Sequence, residues 1–467
     1  MTTFYIEQFG CRATQADAAA IERQLRDRGF AAANESGAAD VVIVNTCTVT
    51  AAADAQARDA IRKLHARNPT ARVIATGCYA QRAPEELAAL PGVSWVVGNS
   101  HKPEIPWLMD SMAAEAAGGS ASGFVPASAL GGEKFSLLHG PAKILTGNIF
   151  EQRALLAAPV VGGEGNHTRP VVKIQDGCNS RCAYCVIPFV RGRSRSLEPA
   201  KVVDEIAALS AAGYREIVLS GINLGTYGRD LSPRVELIEL MRRILEETGA
   251  ERLRISSIEP MDVTEELITL FWSSERMAQH FHMPLQSGCD RVLAAMHRWY
   301  RTEHYARRVE LIRERLPDAA IGADVIAGFP GETDAEHAET VAFIERLPFS
   351  YLHVFSYSKR PGTQAAELEN HVPAPAVRNR ARKLRALGEE KTREFRRSQV
   401  GRELRVLTLR DERDSAETTP ALSSNYLRVG VRGKFAANEW VNVTVAEADG
   451  LIGEPALSKP PILSPQR

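Results

Sequence analysis

Over its first hundred residues the chain alternates short apolar, β-branched runs with segments whose small and apolar residues recur at helical spacing. "FYIEQFGC" leads into a helical pattern reaching Arg28, "VVIVNTC" into one reaching Arg67, and "RVIATGC" into one starting near Pro84, before "VSWVVGN" closes the series. This alternation of period two with period 3.6 predicts an open parallel α/β sheet. From Glu115 to Asn166 the pattern lapses into Ala, Gly and Ser ("AEAAGGSASGF", "VVGGEG"), which reads as a linker with short ordered pieces.

After Thr168 the alternation resumes with "VVKIQDG", "EIVLSGIN", "RLRISSIEP", "HFHMPLQSG", "AAIGADVIAGF" and "YLHVFSYS" as strands, and helical stretches such as Ala200 to Ala212 and Leu237 to Thr248 between them. Six β/α units exceed a simple nucleotide fold and fall short of the eight of a complete barrel, so an incomplete (β/α)6 barrel is predicted. A basic helix near Val377 to Arg397 follows, then "ELRVLTL", "NYLRVGV" and "EWVNVTVAEA", which predict a small antiparallel barrel. The reading is an α/β multidomain chain: an open sheet at 1–114, a linker at 115–166, a barrel with its basic helical tail at 167–397, and a small β-barrel at 398–467.

A length of 467 residues suits several domains, and no apolar run approaches the roughly 18 residues of a membrane span. "MTTFYIEQFGC" enters strand-like sequence directly, without the marks of a leader, so the cytoplasm is the expected address. The net charge is zero, yet from Arg378 to Arg410 basic residues far outnumber Glu389, Glu390, Glu394 and Glu403, which points to a polyanion-facing surface.

An odd seven cysteines in such a chain favour metal binding or catalysis over disulfides. Cys11, Cys47 and Cys78 each directly follow an apolar run, and ligands gather at the carboxyl ends of parallel strands, so these residues could converge. In "GCNSRCAYCVIP", Cys178, Cys182 and Cys185 form a second triplet. Structural zinc takes four ligands and a redox pair two cysteines, whereas three thiolates can hold a 4Fe–4S cluster with one iron open. Unrelated buried thiols, or a zinc site with a distant fourth ligand, are the alternatives on spacing alone. Cys289, at a helix start, reads as a small buried thiol, and His280, His282 and His353 as core histidines before catalytic ones. Arg191, Arg193 and Arg195 read equally as phosphate contacts or a solvated loop.

The triplet spacing, with Tyr184 before its last cysteine, resembles the radical S-adenosylmethionine enzymes, and "KIQDGCNSRCAYCVIPFVRGRSRS" is similar to their methylthiotransferases. The resemblance spans nearly the whole chain outside the linker. It implies a 4Fe–4S cluster on Cys178, Cys182 and Cys185, and an auxiliary 4Fe–4S cluster on Cys11, Cys47 and Cys78. It further implies an S-adenosylmethionine site. "LSGINLGTYG" (Ser220, Gly221, Asn223) matches the region for the methionine amino group and "SSIEP" (Glu259) the ribose region. "ADVIAGFPGET" (Gly328) matches the adenine pocket, and Gln286 in "PLQSG" is a further candidate. Gly221, Gly328 and Gly331 would equally serve tight backbone.

"ALSSNYLRVGV" resembles the TRAM domain, an RNA-binding barrel. "NTCTVT", "GCYAQRAPEELAALPGV", "HFHMPLQSGCDRVL" and "LPFSYLHVFSYSKRPGT" are most similar to the branch that methylthiolates N6-threonylcarbamoyladenosine beside the anticodon. The implied partners are a tRNA anticodon loop, an electron donor and a sulfur source, with no membrane. The isopentenyladenosine branch and the branch acting on a ribosomal-protein aspartate are the alternatives within the family, and a non-catalytic iron–sulfur or zinc RNA-binding protein is the alternative outside it.

Overall fold

Val41 to Val44 are apolar at every position, as a strand covered on both faces requires, and they form the fully buried centre of the first sheet. The structure is a computed structural model that describes residues 2–116, 135–136, 142–153, 155–156, 158–162, 167–410, 417–448 and 451–455. Strands β1 (Thr3–Gln8), β2 (Ala31–Ala32), β3 (Val41–Thr46), β4 (Arg72–Gly77) and β5 (Val93–Gly98) are parallel. Helices α1 (Arg12–Asp27), α2 (Ala51–Arg67), α3 (Cys78–Arg82), α4 (Pro84–Ala88) and α5 (Ile105–Ala116) cover them. One face packs Phe4, Ile43 and Ile74 against Ile21 of α1 and Leu108 of α5. The other packs Val42, Val44 and Val73 against Ile61 of α2 and Leu87 of α4. The helix expected near Pro84 is two helices, the first starting at Cys78 itself. Pro84 forces the break, because it disfavours helical backbone at Ala83.

Two short ordered pieces occur within the stretch read as a linker. β6 (Phe135–Ser136) and β7 (Lys143–Leu145) extend the sheet, whose order is β2-β1-β3-β4-β5-β7-β6, with β6 antiparallel. Three residues of strand among Ala and Gly are too short for a visible period. Residues 117–134 of the Ala/Gly-rich stretch lie outside the described residues.

β8 (Val160–Gly162) pairs antiparallel with β9 (His167–Lys173), and a two-stranded ladder joins β10 (Gln175–Asp176) to β11 (Arg195–Ser196). β9, β12 (Glu216–Ser220) and β13 (Arg252–Ile255) run parallel, as do β14 (His280–His282), β15 (Ala320–Ala327) and β16 (Tyr351–Ser356). A Leu253–Met277 bridge joins the two halves into the expected six-stranded partial barrel. Among the described residues β9 and β16 do not pair, and α1 packs on β9 at this open side. The basic helix Ala374–Arg397 packs along β16.

β17 (Glu403–Thr408), β18 (Thr418–Ser423), β19 (Arg428–Arg432), β20 (Trp440–Glu447) and β21 (Ile452–Pro455) close a barrel in the order β17-β18-β19-β21-β20. The expected all-antiparallel pairing fails at one seam, since β19 and β21 are parallel. β18 carries Pro420 and β21 is short, which hid both from pattern reading. No helix among the described residues is long and apolar enough to cross a membrane.

Two buried ionic joints hold these parts together. Asp17 of α1 accepts from Lys102 (2.8 Å), from Lys173 of β9, and from Arg191 (3.0 Å), and Arg191 also donates to Asp176 (2.9 Å). Glu216 accepts from Arg254 (2.7 Å), Arg252 (3.0 Å) and Arg169 (3.0 Å). Arg252 and Arg254 then donate to carbonyls of the small barrel: Leu422, Arg405, Ser423 and Ser424. Tyr426 of that barrel stacks on His280 at 4.2 Å, below Arg254.

Asp17→Asn and Glu216→Gln each leave buried cations unpaired and are expected to lower unfolding free energy by about 3–5 kcal/mol in urea titrations. The neighbouring cations hold both carboxyls down at about 2, against opposing burial. Their stabilisation is therefore complete above the unfolded carboxyl range near pH 4 and lost as pH falls toward 2; urea midpoints measured from pH 6 to 2.5 should drop over that interval, and less so in the variants.

Candidate functional site

β1, β3 and β4 are neighbours, so the residues just past their carboxyl ends share one edge, and those residues include Cys11, Cys47 and Cys78. Gly10 permits their approach: its φ is +105°, and a Cβ there would lie 2.6 Å from Cys47 Cβ. Cys47 and Cys78 are buried and Cys11 is exposed. Burial, followed by the charges of Cys78 and Cys11, pushes the Cys47 thiol up to about 11. Asn99, just past β5 on the same edge, donates to Cys78 Sγ (3.5 Å) and to Val190 O (2.8 Å).

The second triplet occupies the loop after β10. Cys178 N–H donates to Gly192 O, Ala183 N–H to Met296 O, and Cys185 N–H to Cys182 O, each at 3.0 Å. The three sulfurs border a cavity of about 420 Å³ with Phe150, Phe189 and Arg193 on its walls. Burial and the other two cysteines raise the Cys185 thiol to about 12. Ser180 N–H donates to Cys178 Sγ (3.4 Å), Asn223 Nδ2 lies 3.8 Å from the same sulfur, and Arg298 Nη1 donates to Cys182 Sγ (3.3 Å). Cys182 and Cys185, costly to ionise alone, and Cys178, already facing N–H donors, suit metal ligation, which replaces thiol protons. Among the described residues, those lining the cavity of the second triplet include no fourth cysteine or histidine of a closed zinc site.

The S-adenosylmethionine candidates fall into groups. Asn223 Oδ1 is buried without a partner beside Cys178, an acceptor suited to an ammonium. Its N–H is held by Gln175 Oε1 (2.8 Å), and Gly221 is required there because a Cβ would approach that oxygen to 2.9 Å. Ser220 ends β12 and its carbonyl accepts from Ile174 N (2.9 Å). Glu259 pairs with Arg298, which ties the ribose candidate to Cys182. Tyr184 and Gln286 line a second cavity of about 220 Å³, together with Cys185, Asp324, and Val49 and Thr50 just after Cys47. This space connects the surroundings of both triplets. Gly328 gives its N–H to Glu332 (2.8 Å) and abuts Val377, so packing under the basic helix accounts for it.

Arg191 and Arg195 are buried, the first in the Asp17–Asp176 joint and the second bonded to Arg191 O (2.9 Å), which corrects the phosphate-contact reading; Arg193 alone of the three is exposed. His282 spends one nitrogen on Tyr351 Oη (2.9 Å) and the other on Asp324 (2.9 Å), His353 approaches Asp324 (3.3 Å), and His280 bonds Tyr351 Oη (2.7 Å). Burial, then Arg254, keeps His280 neutral. Cys289 is a buried N-cap residue packed with Tyr184. Arg298 escaped sequence reading because no spacing marks it. Asn99 was open to the strand-end argument that found the cysteines.

The chain is similar to known proteins over most of its length. Residues 3–98 match the model of the Uncharacterized protein family UPF0004, and residues 172–344 that of the Radical SAM superfamily. The chain is 36% identical to Threonylcarbamoyladenosine tRNA methylthiotransferase MtaB of Aquifex aeolicus, over 94% of this chain and 99% of that one. It is 34% identical to the protein of that name from Bacillus subtilis over 93% and 91%, and 31% identical to tRNA-2-methylthio-N(6)-dimethylallyladenosine synthase of Clostridium tetani over 82% and 80%. Among solved structures it shares the fold of the radical S-adenosylmethionine methyltransferase TsrM from Kitasatospora setae, with a TM-score of 0.53 and 16% identity over 78% of this chain and 77% of that one. With a partial barrel that carries one cysteine triplet, and a second triplet whose Cys78 packs against the loop of the first, likeness along nearly the full length shows that the chain belongs to the radical S-adenosylmethionine methylthiotransferase family.

Proposed function

We propose that this protein attaches a methylthio group to C2 of N6-threonylcarbamoyladenosine in the anticodon loop of tRNA. The observation that carries the reading is the nearness of the two triplets' loops, Cys78 packing against Val186 and Val190 while Val49 and Thr50, just after Cys47, share a cavity wall with Cys185, since a sulfur-inserting enzyme needs a radical source and a sulfur carrier within reach of one carbon. Full-length similarity to the threonylcarbamoyladenosine relatives favours that base over the dimethylallyl one.

In this reading Cys178, Cys182 and Cys185 hold one 4Fe–4S cluster and Cys11, Cys47 and Cys78 a second. Asn223 takes the methionine ammonium of S-adenosylmethionine, with Ser220 and Gly221 shaping its loop; Glu259 faces the ribose, and Tyr184, Gln286 and the Gly328 segment border the remainder. When bound, these groups supply an electron, a radical able to take hydrogen from an unactivated carbon, and the sulfur. The protein's own part is to orient and shield: Arg298 neutralises charge at Cys182, and Phe150 and Phe189 narrow access to the cavity. An electron donor and a sulfur source complete the cycle. The small barrel is read as a TRAM-type RNA anchor, with Arg428 and Lys434 exposed on it and Arg382, Lys383, Arg385 and Arg393 along the basic helix.

Anaerobically reconstituted protein is expected to carry about eight irons per chain, and the Cys178/Cys182/Cys185→Ala protein about four; four in the unaltered protein would remove the second cluster. Nucleosides digested from tRNA of cells lacking the protein should show threonylcarbamoyladenosine in place of its 2-methylthio form, restored by the intact gene and not by Cys182→Ala. Loss of the methylthio mark from the isopentenyl nucleoside alone would move the assignment to that branch, and loss from a ribosomal protein alone to the protein-modifying one. Replacing Arg428 and Lys434 with Ala should weaken tRNA binding and flatten the slope of log K against log salt by roughly one to two; an unchanged slope would place the RNA elsewhere.

A further inference from the structure

Three side chains that the proposed function leaves unused meet on neighbouring barrel strands. His282 of β14 lies opposite Gly322 in the ladder with β15, Asp324 comes two residues further along β15, and His353 of β16 lies opposite Asp324. Side chains alternate between faces along a strand, so this register puts all three on one face. They converge on Asp324 Oδ1, with His282 Nε2 at 2.9 Å and His353 Nδ1 at 3.3 Å. The donor atoms of the three residues all lie within 4.8 Å of one another, and the imidazole centroids are 5.0 Å apart. Ligands of one tetrahedral zinc ion, each at about 2.0–2.1 Å, stand roughly 3.3 Å from each other. Small side-chain rotations therefore close this set on an ion.

Charge and support both favour a cation over hydrogen bonds alone. Among the described residues no Lys or Arg pairs with Asp324, since Arg254 is taken up by Glu216 and Arg298 by Glu259. The Asp324 side chain is only 23% exposed, and a carboxylate so enclosed gains from a positive partner, which an imidazole supplies only when protonated. Tyr351 Oη holds His282 Nδ1 at 2.9 Å, which turns Nε2 toward Asp324, and its bond to His280 Nε2 (2.7 Å) fixes the hydroxyl in turn. Metal-ligating histidines are oriented in this way, through the other ring nitrogen. The carbonyl of Asp324 accepts from Leu285 N (3.1 Å) and Gln286 N (2.8 Å), and Gln286 keeps a left-handed backbone with φ +64°. A non-glycine residue held there is a pointer to function.

We propose that His282, Asp324 and His353 form a metal site separate from both cysteine triplets, which takes a divalent cation of the zinc class. Two imidazoles and one carboxylate select that class over calcium and magnesium, which prefer oxygen ligands throughout, and three protein ligands leave a position open. Asp324 also lines the cavity of about 220 Å³, whose described lining residues include no Lys or Arg. The ion gives that wall a Lewis-acidic point of attachment for a carbonyl or carboxylate oxygen.

The test is equilibrium dialysis of the anaerobically reconstituted protein against micromolar Zn2+, with zinc and iron counted in the same sample. About one zinc per chain is expected, with iron unchanged, and X-ray absorption should show nitrogen and oxygen ligands at about 2.0–2.2 Å and no sulfur at about 2.3 Å. His353→Ala, at an exposed position, and Asp324→Asn should each lose this zinc and keep their iron, which vouches for the fold. Tyr351→Phe should keep the stoichiometry and weaken zinc affinity by about 10- to 100-fold; unchanged affinity would strike Tyr351 as a positioning residue. The Cys178/Cys182/Cys185→Ala protein should still take up the zinc, so this site stands or falls apart from the cluster reading. Absence of zinc uptake, sulfur in the zinc shell, loss of the zinc with those three cysteines, or full uptake by both His353→Ala and Asp324→Asn would overturn the assignment and leave the three residues as a hydrogen-bonded wall.

Discussion

The distance between the two cysteine triplets depends on one buried ion pair, Asp17 with Arg191. Asp17 stands six residues after Cys11, and Arg191 six residues after Cys185. Because Lys173 and Lys102 bind the same carboxylate, a helix of the first sheet, the first barrel strand and the cluster loop are fixed to one point. Apolar packing alone would let these surfaces slide, since it is non-directional; charges buried at hydrogen-bond distance do not. Asp176 and Asp17 in turn keep the buried Arg191 guanidinium charged, well above its ordinary range, against the cost of burial.

Much of this architecture was legible in the sequence. Strands buried on both faces read as continuous apolar runs, and the turn chemistry at their ends carried the cysteines, so both triplets and the six-stranded barrel could be found before any contact was known. What stayed hidden has a common cause. Asp17, Lys173 and Glu216 sit in amphipathic or β-branched segments where a charge ordinarily faces solvent, and only tertiary pairing reveals that they face inward. Arg191 and Arg195 misled for the same reason, since a basic loop beside a cluster reads as a phosphate contact until Asp17 and Asp176 appear opposite it. β18 and β21 were lost to their own brevity and to Pro420, and β7 to the Ala/Gly-rich stretch before it.

The stacking of Tyr426 on His280 has a wider meaning for how the molecule is built. The lumen of the barrel ends on a ring that belongs to another domain, fixed there by Arg254 and by the carbonyls of Ser423 and Ser424. The interior of the partial barrel is therefore completed by a segment far away in sequence. Inheritance follows from that: a substitution in the small barrel that moves Tyr426 also moves His280 and Arg254 inside the partial barrel, so the two domains are bound to change together rather than apart.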